Sequence, residues 1–105
     1  MGEQGKVFHG DRTIDGLAVT VDGRPLPTHD RLHAFSKNGF EWGYEGIEPQ
    51  QLAFAILAEH FGQEGAGLER AKRDAKRFMQ LAVANFGNEW EMTGADIDAL
   101  LAGTA

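Results

Sequence analysis

The stretch from Pro49 to Phe61 constrains this chain most, because its apolar residues refuse to keep to one helical stripe. Leu52, Ala55 and Ile56 cluster together, while Phe54, Leu57 and Phe61 point to the opposite side. A helix that is apolar on most faces is a buried helix. Pro49 suits a first helical position, where its missing N–H costs nothing, and Glu48 sits where a carboxylate favours the helix N-terminus. Gly62 closes the element. Whatever else the chain forms must therefore wrap this segment.

Two kinds of element are available for the wrapping. Lys6 to Gly10 and Leu17 to Val21 alternate apolar and polar residues and read as strands with one buried face each, with Asp11 to Gly16 as the loop between them. Asp22-Gly23 is a turn signal, and Pro25 and Pro27 discourage a continuing central strand. Phe40-Glu41-Trp42-Gly43-Tyr44 alternates three aromatics with Glu41 and Gly43, so the pattern predicts a third strand with its rings toward the core. From about Gly67 to Phe86, Leu68, Ala71, Ala75, Phe78, Met79, Ala82 and Phe86 follow the three-and-four spacing of one apolar helix face. Glu89 to Met92 reads as a short strand with Trp90 and Met92 inward. Thr93 and Asp96 form a capping box with Asp in place of Glu or Gln, opening a last helix through Ala102. The expected fold class is α+β: a small antiparallel sheet of three to four strands packed on a buried central helix, with a second long amphipathic helix and a short C-terminal one. No repeat or linker divides the chain, so residues 1–105 are expected to form a single domain.

Composition narrows the function. A chain of 105 residues with 42% hydrophobic and 25% charged residues is ordinary for a folded domain. It contains no Cys, which excludes thiolate nucleophiles, disulfides and Cys-based metal sites and fits a reducing, cytoplasmic setting. The Met1 to Lys6 start has neither a basic nor an apolar run, and no segment approaches the roughly 20 apolar residues of a membrane span. The formal charge is −6, yet Glu69 to Arg77 sets five cations against two carboxylates, a local +3 that leaves −9 elsewhere. An acidic chain with one basic stripe is not a general nucleic-acid binder. It is expected to meet a protein or nucleoprotein complex.

No catalytic constellation emerges. His29 and His33 are four apart, a spacing able to hold zinc on a helix, but Pro27 argues against a helix there and no third ligand has matching spacing. Ser36 is the only serine and lies in no nucleophile elbow. Gly43-Tyr44-Glu45-Gly46 precedes a helix as a phosphate loop does, yet it lacks the Lys-Ser/Thr ending and carries repelling Glu45 and Glu48. No catalytic residue, metal ligand or cofactor is assigned. Two charged surfaces remain as interaction candidates: acidic Glu41, Glu45 and Glu48 around the aromatic run, and basic Arg70, Arg73 and Arg77 on the long helix. The alternative is a small enzyme or ligand-binding domain using the loop from Gly43 to Glu48.

The run from Phe40 to Leu57, with its F-x-W-G-Y-x-G segment followed by P-x-Q-L-A-x-A-I-L, resembles a family of small uncharacterised proteins from bacteria, phages and plasmids. It departs from that family at Ile47-Glu48, where a small Ser-Gly pair is expected. The resemblance implies the same fold and a mobile-element setting, and brings no activity with it. In that setting the sharpest expectation is an inhibitor of a host nucleic-acid-binding defence complex, of the anti-CRISPR or anti-restriction kind.

Overall fold

The computed structural model describes residues 6–103. Strand β1 (Val7–Thr13) and β2 (Gly16–Val21) form a hairpin, and β3 (Arg24–Pro25) follows it. After a long irregular segment come helix α1 (Ile47–Phe61), helix α2 (Gly65–Leu81) and a 3₁₀ turn (Val83–Asn85). Strand β4 (Glu89–Thr93) and helix α3 (Gly94–Ala102) complete the order. The antiparallel sheet runs β3-β2-β1-β4.

Alternation along the strands makes the sheet two-faced. Phe8 lies between Val21 and Met92, and Gly10 between Val19 and Trp90, so these six residues form two buried rows on the inner face. They join α1 in one core. Every residue of α1 from Gln51 to Ala58 is buried, as the two-sided apolar pattern requires. Helix α2 packs along α1 and buries Ala71, Ala75, Phe78 and Met79, while its remaining face is charged. Pro49 falls in the first turn of α1, third from its start, still among positions with no intrahelical N–H partner.

The one polar side chain within the buried run of α1 has four partners. Gln51 Oε1 accepts from the backbone N–H groups of Phe35 (2.7 Å) and Ser36 (3.1 Å). Its Nε2 donates to the carbonyls of Thr28 (2.8 Å) and His33 (3.1 Å). The irregular chain from Thr28 to Ser36 is thereby fastened across the helix, and its buried backbone groups find the partners that no strand supplies.

Three sequence expectations are corrected. Phe40 to Tyr44 is no strand: it joins no ladder, and Gly39 and Gly43 take φ values of 91° and 89°, which break an extended run. Only Trp42 of its three rings is buried; Phe40 is half-buried and Tyr44 is 45% exposed. Asp11 to Gly16 is mostly strand, leaving a tip of Ile14 and Asp15 that is closed by Thr13, whose Oγ1 accepts from Asp15 N and donates to the Gly16 carbonyl. The helix read to Phe86 stops at Leu81, because Ala82 leaves helical geometry at φ −127°, and the chain turns once more before β4.

At the far end, Thr93 is both the last residue of β4 and the N-cap of α3. Its Oγ1 accepts from Asp96 N at 3.1 Å, and Asp96 Oδ2 accepts from Thr93 N at 3.0 Å, the reciprocal pair that the sequence spacing predicts.

Replacing Gln51 with Leu roughly keeps the volume but orphans two N–H groups and two carbonyls, buried or partly buried; it is expected to cost about 3 kcal/mol in urea denaturation. Gly10→Ala drives a Cβ into the Trp90 indole, so the ring must move. A loss of about 1 to 3 kcal/mol is expected by the same measurement.

Candidate functional site

The loop ahead of α1 is held by one arginine and one tryptophan. Arg12, at the end of β1, pairs with Glu41 at 3.0 Å, donates to the Trp42 carbonyl at 3.2 Å and lies 4.9 Å from the Trp42 ring centre. Trp42 Nε1 donates to the Gly87 carbonyl at 2.7 Å, and Gly43 N donates to the Val83 carbonyl at 3.0 Å. Its indole meets Trp90 edge to face, and Trp90 stacks on Phe86. Trp90 Nε1 is buried against Gly10 without a hydrogen bond among the described residues.

From this anchored base the next residues turn outward. The Tyr44 ring folds back onto Gly46, where a Cβ would lie 2.8 Å from it, which accounts for a glycine at the α1 N-cap. Its hydroxyl donates to Glu48 Oε1 at 3.4 Å. Partial desolvation, then the charges of Glu48 and Glu41, hold the phenol above its ordinary range, so it stays a donor. Ile47 is 54% exposed on the first turn of the helix. Glu45 accepts from Gln80 Nε2 on α2 at 3.3 Å. The three acidic candidates thus share one end of the molecule without forming a carboxylate pair: Glu41 is spent on Arg12, Glu45 on Gln80, and Glu48 on Tyr44 and the Ser36 hydroxyl. They frame two exposed apolar side chains, Tyr44 and Ile47, which the sequence pattern had placed differently or left without a role.

The basic candidates have partners of their own. Arg73 donates through Nε and Nη2 to Asp74 at 3.1 and 3.3 Å, and Arg70 Nε lies 3.5 Å from the same carboxylate while stacking 4.0 Å from the Phe61 ring centre. Arg77 donates to the Leu101 carbonyl at 2.6 Å and so caps the end of α3. Asp74 itself is buried, in line with Ala71 and Phe78 on the apolar stripe of α2. The Arg73 hydrogen bonds hold its carboxyl below the ordinary aspartate range against the opposing effect of burial. An acid inside an otherwise apolar stripe is the sequence signal that points to this role.

Three of the four histidines act as clasps. His9 Nε2 on β1 lies 2.8 Å from Glu89 on β4, and His60 on α1 lies 2.7 Å from Asp98 on α3. His29, at φ 57°, lies 2.7 Å from Glu59, joining the irregular segment to α1. His33 packs edge-on against Phe35 and Phe54. Among the described residues no three His, Asp or Glu side chains gather as a metal site, and no helix is long and apolar enough to cross a membrane.

The Asp74 cluster makes acid stability testable. Its folded-state pKa is depressed, so its contribution is complete above the unfolded aspartate value, about pH 4, and fades as pH falls through the folded value. Asp74→Asn should lower the urea midpoint at pH 7 and flatten its decline below about pH 4 relative to the parent chain.

Neither a curated protein nor a solved structure matches the chain significantly. A family model does match, over residues 8–103, which takes in every strand and helix described above except the first residue of β1. The chain is therefore a member of the family of unknown function DUF6166.

Proposed function

We propose that this protein is a non-catalytic, cytoplasmic, single-domain interaction protein whose docking face is the acidic-aromatic end formed by Glu41, Tyr44, Glu45, Ile47 and Glu48. The observation that carries the reading is the exposure of Tyr44 (45%) and Ile47 (54%) beside those carboxylates, in a chain of net charge −6. Apolar side chains standing out of a charged rim are the usual anatomy of a protein-binding patch. Negative potential around them steers association toward a basic partner and sets which partners are accepted. Glu41 and Glu48 are already positioned by Arg12, Ser36 and Tyr44, so little side-chain freedom is lost on docking.

The sharpest form of the proposal is an inhibitor, of mobile-element origin, that covers the nucleic-acid groove of a host defence complex of the CRISPR or restriction type. Such grooves are lined with cations, and a small acidic protein competes for them as nucleic acid does. Arg70, Arg73 and Arg77, engaged with Asp74 and the α3 carbonyl, serve the scaffold in this reading.

The test is competition. Purified protein is titrated into gel-shift assays of restriction and CRISPR effector complexes from a matching host, across a salt series. Displacement of nucleic acid that weakens with salt is expected, and the double variant Glu45→Lys/Ile47→Lys should reduce it at least tenfold while retaining the parent circular dichroism. Equal potency of a folded double variant, or no displacement of any complex, overturns the proposal.

A further inference from the structure

Asn38-Gly39, in the irregular segment ahead of α1, sets an exposed side-chain amide next to an unshielded main-chain nitrogen. Asparagine is a thermally labile residue. The nitrogen of the following residue lies within reach of its amide carbon, and the two can close a five-membered ring. A glycine in that following position has no Cβ to crowd the nitrogen. Folding suppresses the reaction where it holds both groups in hydrogen bonds, which then open only by local unfolding.

At Asn38 the fold leaves both groups free. The side chain makes no hydrogen bond among the described residues; only the main-chain N–H is tied, to Ser36 Oγ at 3.1 Å. The Gly39 nitrogen donates to nothing among the described residues. Gly39 lines an open cavity beside β2, and a Cβ built on it would meet nothing within 4 Å, so there is room for the ring and for water. Its φ of 91° lies in the left-handed region that favours glycine, so the reactive pair is part of how the loop turns.

The other two asparagines are placed differently. Asn85 Nδ2 donates to the Gln80 and Leu81 carbonyls at 3.5 and 3.4 Å, and the nitrogen after it, that of Phe86, donates to the Val83 carbonyl at 3.2 Å. Asn88 precedes Glu89, whose Cβ crowds its nitrogen and which pairs with Asp11 in the sheet.

We infer that Asn38-Gly39 is a self-modification site, at which the folded protein converts Asn38 to isoaspartate and aspartate with water as the only co-reactant. The Gly39 nitrogen bonds to Asn38 Cγ, the Cγ–Nδ2 bond breaks, and the proton lost by the Gly39 nitrogen leaves with Nδ2 as ammonia. Water then opens the resulting succinimide. Cleavage between the nitrogen and the Asn38 main-chain carbonyl carbon leaves the chain running through Cγ, an isoaspartate; cleavage at Cγ leaves an ordinary aspartate. Either product exchanges a neutral amide for a carboxylate and takes the formal charge from −6 to −7. Isoaspartate also adds one atom to the main chain between two fastened points, Ser36 on Gln51 and Trp42 on Gly87. The reaction needs no partner and is independent of the docking face.

The test ages the purified full chain at neutral pH and physiological temperature in water enriched in heavy oxygen, followed by ion exchange and peptide mapping. A more acidic species should accumulate, with one heavy oxygen on the peptide that contains Asn38, and conversion there should be at least tenfold faster than at Asn85 or Asn88. Isomerisation at Asp15-Gly16 or Asp22-Gly23 leaves the charge unchanged and does not enter that species. The short peptide Ser-Lys-Asn-Gly-Phe sets the rate of an unrestrained pair, and the folded chain should match it within about threefold. Asn38→Gln, which would need a six-membered ring, should abolish the acidic species while keeping the parent circular dichroism. If that variant does not fold, the site mapping on the parent chain decides alone. A folded chain more than tenfold slower than the peptide, heavy oxygen entering at Asn85 or Asn88 instead, or an acidic species that forms at the parent rate in folded Asn38→Gln would overturn the inference.

Discussion

Four hydrogen bonds at Gln51, two accepted and two donated, allow this molecule to bury a helix under chain that has no regular structure. A helix apolar all round needs cover on every side, and a four-stranded sheet plus one long helix covers only part of it. The segment from Thr28 to Ser36 supplies the rest, but irregular backbone laid on a core brings N–H and C=O groups that need partners. One amide side chain satisfies two donors and two acceptors at once, which an apolar residue of the same size cannot do. The clasp between His29 and Glu59 holds the same segment to α1.

The remaining seams are closed in a similar manner, by side chains reaching between elements distant in sequence. Arg12 ties β1 to the loop before α1, Trp42 ties that loop to Gly87, and Arg77 ties α2 to the end of α3. His9 and His60 each bridge two elements as well. Charge in this protein is therefore divided between residues that fasten the fold and residues that face outward, and a tally of the sequence does not separate the two. Arg70 and Arg73 reach Asp74 and Arg77 reaches a helix terminus, while the Arg70 and Arg73 side chains remain 48% and 70% exposed.

What could be read from the residues follows from how local each determinant is. The helix at Pro49, the face of α2, the Thr93 capping box and the paired strands rest on periodicities and caps that act within a few residues, and all of them appear in the structure. The aromatic run at Phe40 misled because its alternation is real but serves a loop. Trp42 is drawn inward by partners at Gly87 and Trp90, more than forty positions away, while two left-handed glycines let Phe40 and Tyr44 go elsewhere. The acidic end was legible as composition; the exposure of Tyr44 and Ile47 was not, since it depends on how the loop folds back on Gly46. Gln51 and Asp74 left a trace that can be recognised: a single polar residue interrupting an apolar surface that is otherwise complete.

The edge-to-face meeting of Trp42 and Trp90, with ring centres 5.7 Å apart, joins the only two indoles in the chain. Their electronic transitions couple at that separation, so the tryptophan part of the near-ultraviolet optical activity and the tryptophan emission both originate at one junction, where the loop before α1 meets β4. The tryptophan signals report directly on that junction and only indirectly on the hairpin tip or the outer charges. The chain carries its own label, and the label reports on a single place.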